Sequence, residues 1–149
     1  MTSKHWVTNA LKCLEESLHP VPHEVNELDW KVSLSENKDR LVEHLIAFAN
    51  QPNGGYLVLG VADSGVPQGI AQEEVATAIN TLTNLGRDAV EPPIVLDHAV
   101  VDLGETPLLF VHIPEYAVKP AHRRGKSIEE AWIRSGGTTR RASRLCGGL

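Results

Sequence analysis

Eight basic side chains, Lys119, Arg123, Arg124, Lys126, Arg134, Arg140, Arg141 and Arg144, crowd into residues 116–149, where only two acids stand against them. An arginine fork matches phosphate oxygens in pairs. A row of such groups holds a polyanion with an affinity that falls steeply as salt is added, while reading little sequence. Residues 1–115 carry the opposite sign, with six Lys or Arg against 17 Asp or Glu, so the net charge of −5 conceals a balance of −11 in the body and +6 in the tail. Charge segregated in this way marks a polyanion contact, or else a solvated terminus. Trp132 and Tyr116 lie in the same segment, where an aromatic face either stacks on a base or fills the core.

A second group of candidates is acidic. In AFANQPNGGYLVLGVADSG, Ala47 to Gly65, an apolar strand stops on Asp63, and Asp-Ser-Gly is a turn sequence in which the carboxylate bonds backbone amides. A turn residue is the first reading of Asp63, and a ligand the alternative. Lys31 follows Asp29 by two, so on a strand the pair shares a face, as an ion pair or as a cation set to meet a phosphate. Asn50 is expected to satisfy backbone groups at a helix end.

Other chemistries are poorly provided for. Cys13 and Cys146 stand at opposite ends without a CxxC partner and read as plain thiols, and His98, His112 and His122 lack metal-ligand spacing, so no zinc is expected. Neither GxxxxGKS/T nor GxGxxG occurs. Gly54-Gly55 leads from helix to strand, the reverse of the order that phosphate cradles use, which makes nucleotide hydrolysis the weakest reading.

These residues must be positioned by a recognisable set of elements. Apolar residues at three and four predict an amphipathic helix over Ser3–Leu18, closed by Pro20 and Pro22. Leu28, Trp30, Val32 and Leu34 alternate with polar residues as in a half-buried strand. Ser35 is placed to cap a helix whose broad apolar face runs through Leu41, Val42, Leu45, Ile46, Phe48 and Ala49, ending near Asn50 ahead of Pro52. Tyr56 to Val61 suits a central strand covered on both faces. Gln72 to Leu85 predicts a helix ending at Gly86, and Ile94 to Val101 and Leu108 to Ile113 a hairpin with a longer loop. A short strand over Ala131–Arg134 follows, with Gly136-Gly137 opening the tail. The order predicts an α+β domain, a mixed sheet packed by helices.

Three stretches, EVNELDWK, LVEHLIAFANQPNGGYLVLGVADSGVPQGI and AWIRSGGTTRRAS, resemble in order the AlbA-2 domain of Schlafen proteins and of many bacterial regulators. The likeness runs from about Glu24 to Ser143. Asp29-Trp30-Lys31 stands where Glu-Phe-Lys is usual, and Trp132 where Tyr is common; the zinc-binding residues of eukaryotic Schlafens have no counterpart. The resemblance implies a single Schlafen-like lobe that self-associates as a homodimer to complete a groove. It also implies, from active Schlafens, a set of three acids at Glu24, Asp29 and Asp63, with Lys31 beside them. Such a set would hold Mg²⁺ or Mn²⁺ through hard oxygen ligands and serve an endoribonuclease acting on tRNA or other structured RNA.

At 149 residues the chain is long enough for one well-packed domain. The expected division is a helix and linker over 1–22, the AlbA-2-like domain over 23–143 and a tail over 144–149. No apolar run approaches the roughly 20 residues that span a bilayer and no signal-peptide core is present, so a cytoplasmic location is expected. The leading expectation is a DNA- or RNA-binding domain, regulatory or defence-related, that grips the phosphate backbone through its basic C-terminal segment. The alternatives are the metal-dependent endoribonuclease and a protein-interaction or nucleotide-binding domain.

Overall fold

A computed structural model describes residues 4–117, 119–125 and 131–141. Its centre is a four-stranded mixed sheet in the order β1-β2-β5-β4. β1 (Leu28–Lys31) runs parallel to β2 (Gly55–Leu59), which pairs antiparallel with β5 (Thr106–Ile113), which pairs in turn with β4 (Asp97–Leu103). All five residues of β2 are buried, as its unbroken apolar run requires of a strand covered on both faces. The α+β class expected from the element order is the class observed.

Strand alternation divides the core into two layers. Tyr56, Val58, Leu108 and Phe110 face α1 (His5–Leu18), which lays down Trp6, Val7, Ala10, Leu14 and Leu18. Leu57, Leu59, Leu109, Val111 and Ile113 face α2 (Lys38–Asn50) and α3 (Gln72–Asp88). Lys4 and the Trp6 indole both bond the Asp97 carboxylate, pinning the start of α1 to the sheet. Burial alone would raise the Asp97 pKa, but the bonds from Lys4 and Trp6 outweigh it and hold the group at about 2. Two small ribbons complete the fold: β3 (Val90–Glu91) with β6 (His122–Arg123), and the hairpin of β7 (Trp132–Ser135) and β8 (Thr138–Arg141), which lies across α2.

Several boundaries differ from expectation for physical reasons. Asn37, not Ser35, caps α2 by accepting from the Arg40 amide, while Ser35 accepts from the Asn37 amide. β1 stops at Lys31 because the amides of Gly60 and Val61 both turn onto the Lys31 carbonyl, and Val32 is left exposed. α3 passes through Gly86 to Asp88; that glycine gives room for the backbone of Ile94, whose amide bonds the Gly86 carbonyl at 2.8 Å. The β4–β5 connection is a tight turn at Gly104-Glu105 in place of a long loop. Gly136 and Gly137, both at positive φ, form the β7–β8 turn instead of opening a tail.

The Asn53-Gly54-Gly55 corner is where close approach matters most. Gly54 has φ +71°, and a Cβ there would lie 2.1 Å from the Ile113 carbonyl oxygen; one on Gly55 would lie 2.0 Å from the Phe48 ring. Gly54→Ala therefore combines backbone strain with a clash against main chain and is expected to cost at least about 2 kcal/mol, read as a lowered urea midpoint.

Candidate functional site

β1 is an edge strand, and a cleft of about 170 Å³ lies beside it, lined by Glu24, Asp29, Lys31 and Asp63 together with Ser17, Leu28, Trp30 and Gly137. Three separate segments thus deliver the three acids to one place: the lead-in to β1, β1 itself and the turn after β2. Glu24 is seated because a Cβ on Gly137 would come within 2.4 Å of it, so the hairpin turn packs directly on that segment. Asp63 occupies the second place of a turn closed by the Gly65 amide on the Ala62 carbonyl, at 2.7 Å. Asp63 is thus a turn residue, in the second place and not the first, and it also lines the cleft. Lining one cleft is a looser condition than ligating one ion: among the described residues no group of three or more His, Cys, Asp or Glu stands close enough to hold a metal. The acids as they stand do not fit Mg²⁺ or Mn²⁺.

Asp29 sits between two nitrogens. Lys31 Nζ lies 3.8 Å from one carboxylate oxygen and His44 Nε2 lies 3.9 Å from the other. His44 reaches this point from the middle of α2, and its Nδ1 is 2.7 Å from the Thr139 hydroxyl on β8. Burial, then the nearby charges of Arg40, Arg134 and Lys31, push its pKa down to about 3, so the imidazole is neutral. Contacts bring the three cations to the same neighbourhood: Lys31 shares Asp29 with His44, and Arg40 and Arg134 both donate to Thr139, the other partner of His44.

Arg134 has a different role from the one its place in the basic segment suggests. Its side chain is buried, stacks 4.7 Å over the Phe48 ring, and spends its donors on the carbonyls of Val25, Asn26, Leu28 and Gly137 and on the Thr139 hydroxyl. All three of its nitrogens are engaged inside the protein. Among the described residues, the remaining basic side chains do not form one row. Lys119 pairs with Glu115, Arg123 with Asp39 and Arg124 with Glu91. Arg140 and Arg141 are exposed on β8, the first bonding its own hairpin and the second lying 5.5 Å over Trp132. Lys126 and Arg144 lie outside the described residues, as does Cys146.

Other candidates resolve into structure. Asn50 bonds the carbonyls of Ala121 and Trp132 and accepts from the Ala121 amide, tying the end of α2 to the chain beyond β5. Tyr116 and Trp132 pack against the core. The sequence reading missed Arg40, His44 and Thr139. One signal was available: His44 interrupts the apolar stripe Leu41, Leu45, Phe48 at helical spacing, where a polar residue needs a partner.

Two outcomes follow from this geometry. Arg134→Lys cannot fill five bonds with one ammonium and is expected to cost about 2–4 kcal/mol, against less than about 0.5 kcal/mol for Arg140→Lys, by chemical denaturation. For His44, the folded value near 3 lies below the ordinary 6.5, so the unfolded chain binds the extra proton between them. Its contribution is complete above pH 6.5 and is lost as pH falls toward 3, a slope that His44→Leu should flatten in denaturation curves taken across that window.

Two solved structures share the architecture. The crystal structure of the DIP2311 protein from Corynebacterium diphtheriae matches with a TM-score of 0.58 at 16% identity, over 92% of this chain and 26% of the other, so this chain spans about a quarter of that protein. The solution NMR structure of an N-terminal domain from Nitrosomonas europaea, in a protein whose name relates it to the ATP-dependent DNA helicase RecG, matches with a TM-score of 0.57 at 24% identity, over 96% of this chain and 94% of that domain. At these identities the likeness is one of fold. No curated protein matches. The family described as Schlafen, AlbA_2 matches residues 24–143, from the cleft's Glu24 to just past β8, and the chain belongs to that family.

Proposed function

We propose that the chain binds nucleic acid on the face where the β1 edge, the N-terminal half of α2 and the β7–β8 hairpin meet. The observation that carries this reading is the meeting of Lys31, Arg40 and Arg134 with the partners of His44, Asp29 and Thr139, beside the cleft. Arg134 is internal and supplies field only; Lys31, beside Asp29, and Arg40, paired with Glu43 at 2.9 Å and bonded to the Thr139 carbonyl, keep exposed side chains that a phosphate can reach by displacing a surface pair, and Arg140 and Arg141 add exposed charge on the two sides of β8. The carboxylates of the cleft accept from the hydroxyl or amino donors of a bound strand. The contact thus shifts from the whole basic segment to its last strand and the two cations that α2 and β1 add. Lys119, Arg123 and Arg124 are held to acids on separate elements and join only where a phosphate displaces a surface ion pair, a weak interaction in water. Membership of the AlbA_2 family and a neighbour named for a DNA helicase support a nucleic-acid role. No helix among the described residues is long and apolar enough to cross a membrane.

A second reading, the metal-dependent endoribonuclease, is favoured by one observation: Glu24, Asp29 and Asp63 line the same cleft. It requires them to draw together around an ion, which their present spacing does not provide. Incubation of tRNA with Mn²⁺, comparing the unaltered chain with Asp63→Ala, decides it; cleavage lost in the variant supports the reading, and equal cleavage in both ends it.

For binding, fluorescence anisotropy with labelled duplex DNA and hairpin RNA across a salt series is expected to give an affinity that falls with salt. Lys31→Ala, Arg40→Ala and Arg140→Ala should each lower the logarithmic slope by about one. A flat salt response, or slopes unchanged by all three, refutes the proposed face.

A further inference from the structure

We propose that His44 is a positioning residue for Asp29, its imidazole held by Thr139 so that Nε2–H points at the carboxylate and fixes which oxygen turns into the cleft. The inference rests on the nucleic-acid reading of the cleft and adds to it a residue that the family resemblance does not supply. Its basis is a chain of contacts. Arg134 Nη1 donates to the Thr139 hydroxyl at 3.2 Å, which leaves that hydroxyl its own proton to give. His44 Nδ1 lies 2.7 Å away, and in the proposed arrangement it accepts that proton. The proton of the neutral ring then belongs on Nε2, which faces Asp29 Oδ2 at 3.9 Å. The opposite tautomer would set a lone pair against an anionic oxygen. At 3.9 Å the contact is charge against dipole, and a small rotation of Asp29 on ligand binding shortens it into a hydrogen bond.

The charged groups facing the ring from each packed element agree with this arrangement. Arg40 on its own helix, Arg134 on β7 and Lys31 on β1 all disfavour a second proton, and burial acts in the same direction. Asp29 is the acid that faces it. Lys31 meets the other Asp29 oxygen, at 3.8 Å, so the carboxylate is held from both sides at the edge of β1.

Long-range ¹H–¹⁵N spectra of the imidazoles test the first half. His44 should show the Nε2–H tautomer at pH 8; an Nδ1–H tautomer overturns the proposal. A binding cycle by anisotropy with the hairpin RNA and the duplex DNA tests the second. Asp29→Ala and His44→Leu should each weaken binding about tenfold, the double variant no further, and His44→Gln, whose amide donates from near the Nε2 position, should return to within about twofold of the unaltered chain. Additive losses, or loss in Asp29→Ala alone, refute the positioning role and leave the cleft reading standing. Tighter binding by Asp29→Ala shows that the carboxylate only repels the ligand and overturns the role outright. If the unaltered chain binds neither probe, the nucleic-acid reading fails, and the tautomer then decides the state of His44 by itself.

Discussion

The burial of one guanidinium orders the functional side of this molecule. Arg134 enters from β7, crosses over Phe48 of α2, and gathers the carbonyls of the segment before β1. A buried cation is tolerable only when it is hydrogen-bonded, and here main-chain oxygens and a hydroxyl engage all three nitrogens in place of a single acid. Because those oxygens belong to the β1 lead-in and the hairpin turn, the bonds fix the hairpin against the strand edge. Asn26 reinforces the joint by accepting from the Gly137 amide at 2.7 Å. Thr139, which takes one arginine proton, is thereby placed to orient His44.

The cleft follows from that joint. Glu24 lies under Gly137, Asp29 stands on the strand that Arg134 anchors, and Asp63 arrives on the turn after β2, whose pairing with β1 is set by parallel register from Leu28 with Tyr56 to Lys31 with Leu59. A glycine at 137 is required both for its positive φ and because any side chain would strike the Glu24 segment. The α1 helix lies ahead of the family match yet closes the opposite sheet face, and its Ser17 hydroxyl, bonded by the Trp30 indole, reaches the cleft from behind. Both faces of the sheet thus contribute to one small site.

Charge segregation along a chain and charge segregation in space are different quantities. The basic segment is continuous in sequence, but folding sends its six described members in different directions: one into the interior, three onto acids of α2, β3 and the stretch after β5, and two onto an exposed strand. The positive region that results recruits Lys31 and Arg40 from the acidic body, where a linear balance hides them. Local potential depends on neighbours within about a Debye length, whatever their separation along the chain.

The amino-acid sequence by itself determined the α+β class, the central strand, the helix stripes and the family, because period and turn chemistry act over a few residues. It also carried the three acids and the Asn53-Gly54-Gly55 corner in readable form. Only the tertiary structure decided that Arg134 is an internal strut, that Gly86 is a contact instead of a stop, and that Gly136-Gly137 turns a hairpin. It alone joined His44 to Asp29 and Thr139, which lie 15 and 95 positions away. Such pairings arise from how helices and strands pack, and the chemistry of an arginine or a histidine is the same in sequence whether water or carbonyls come to surround it.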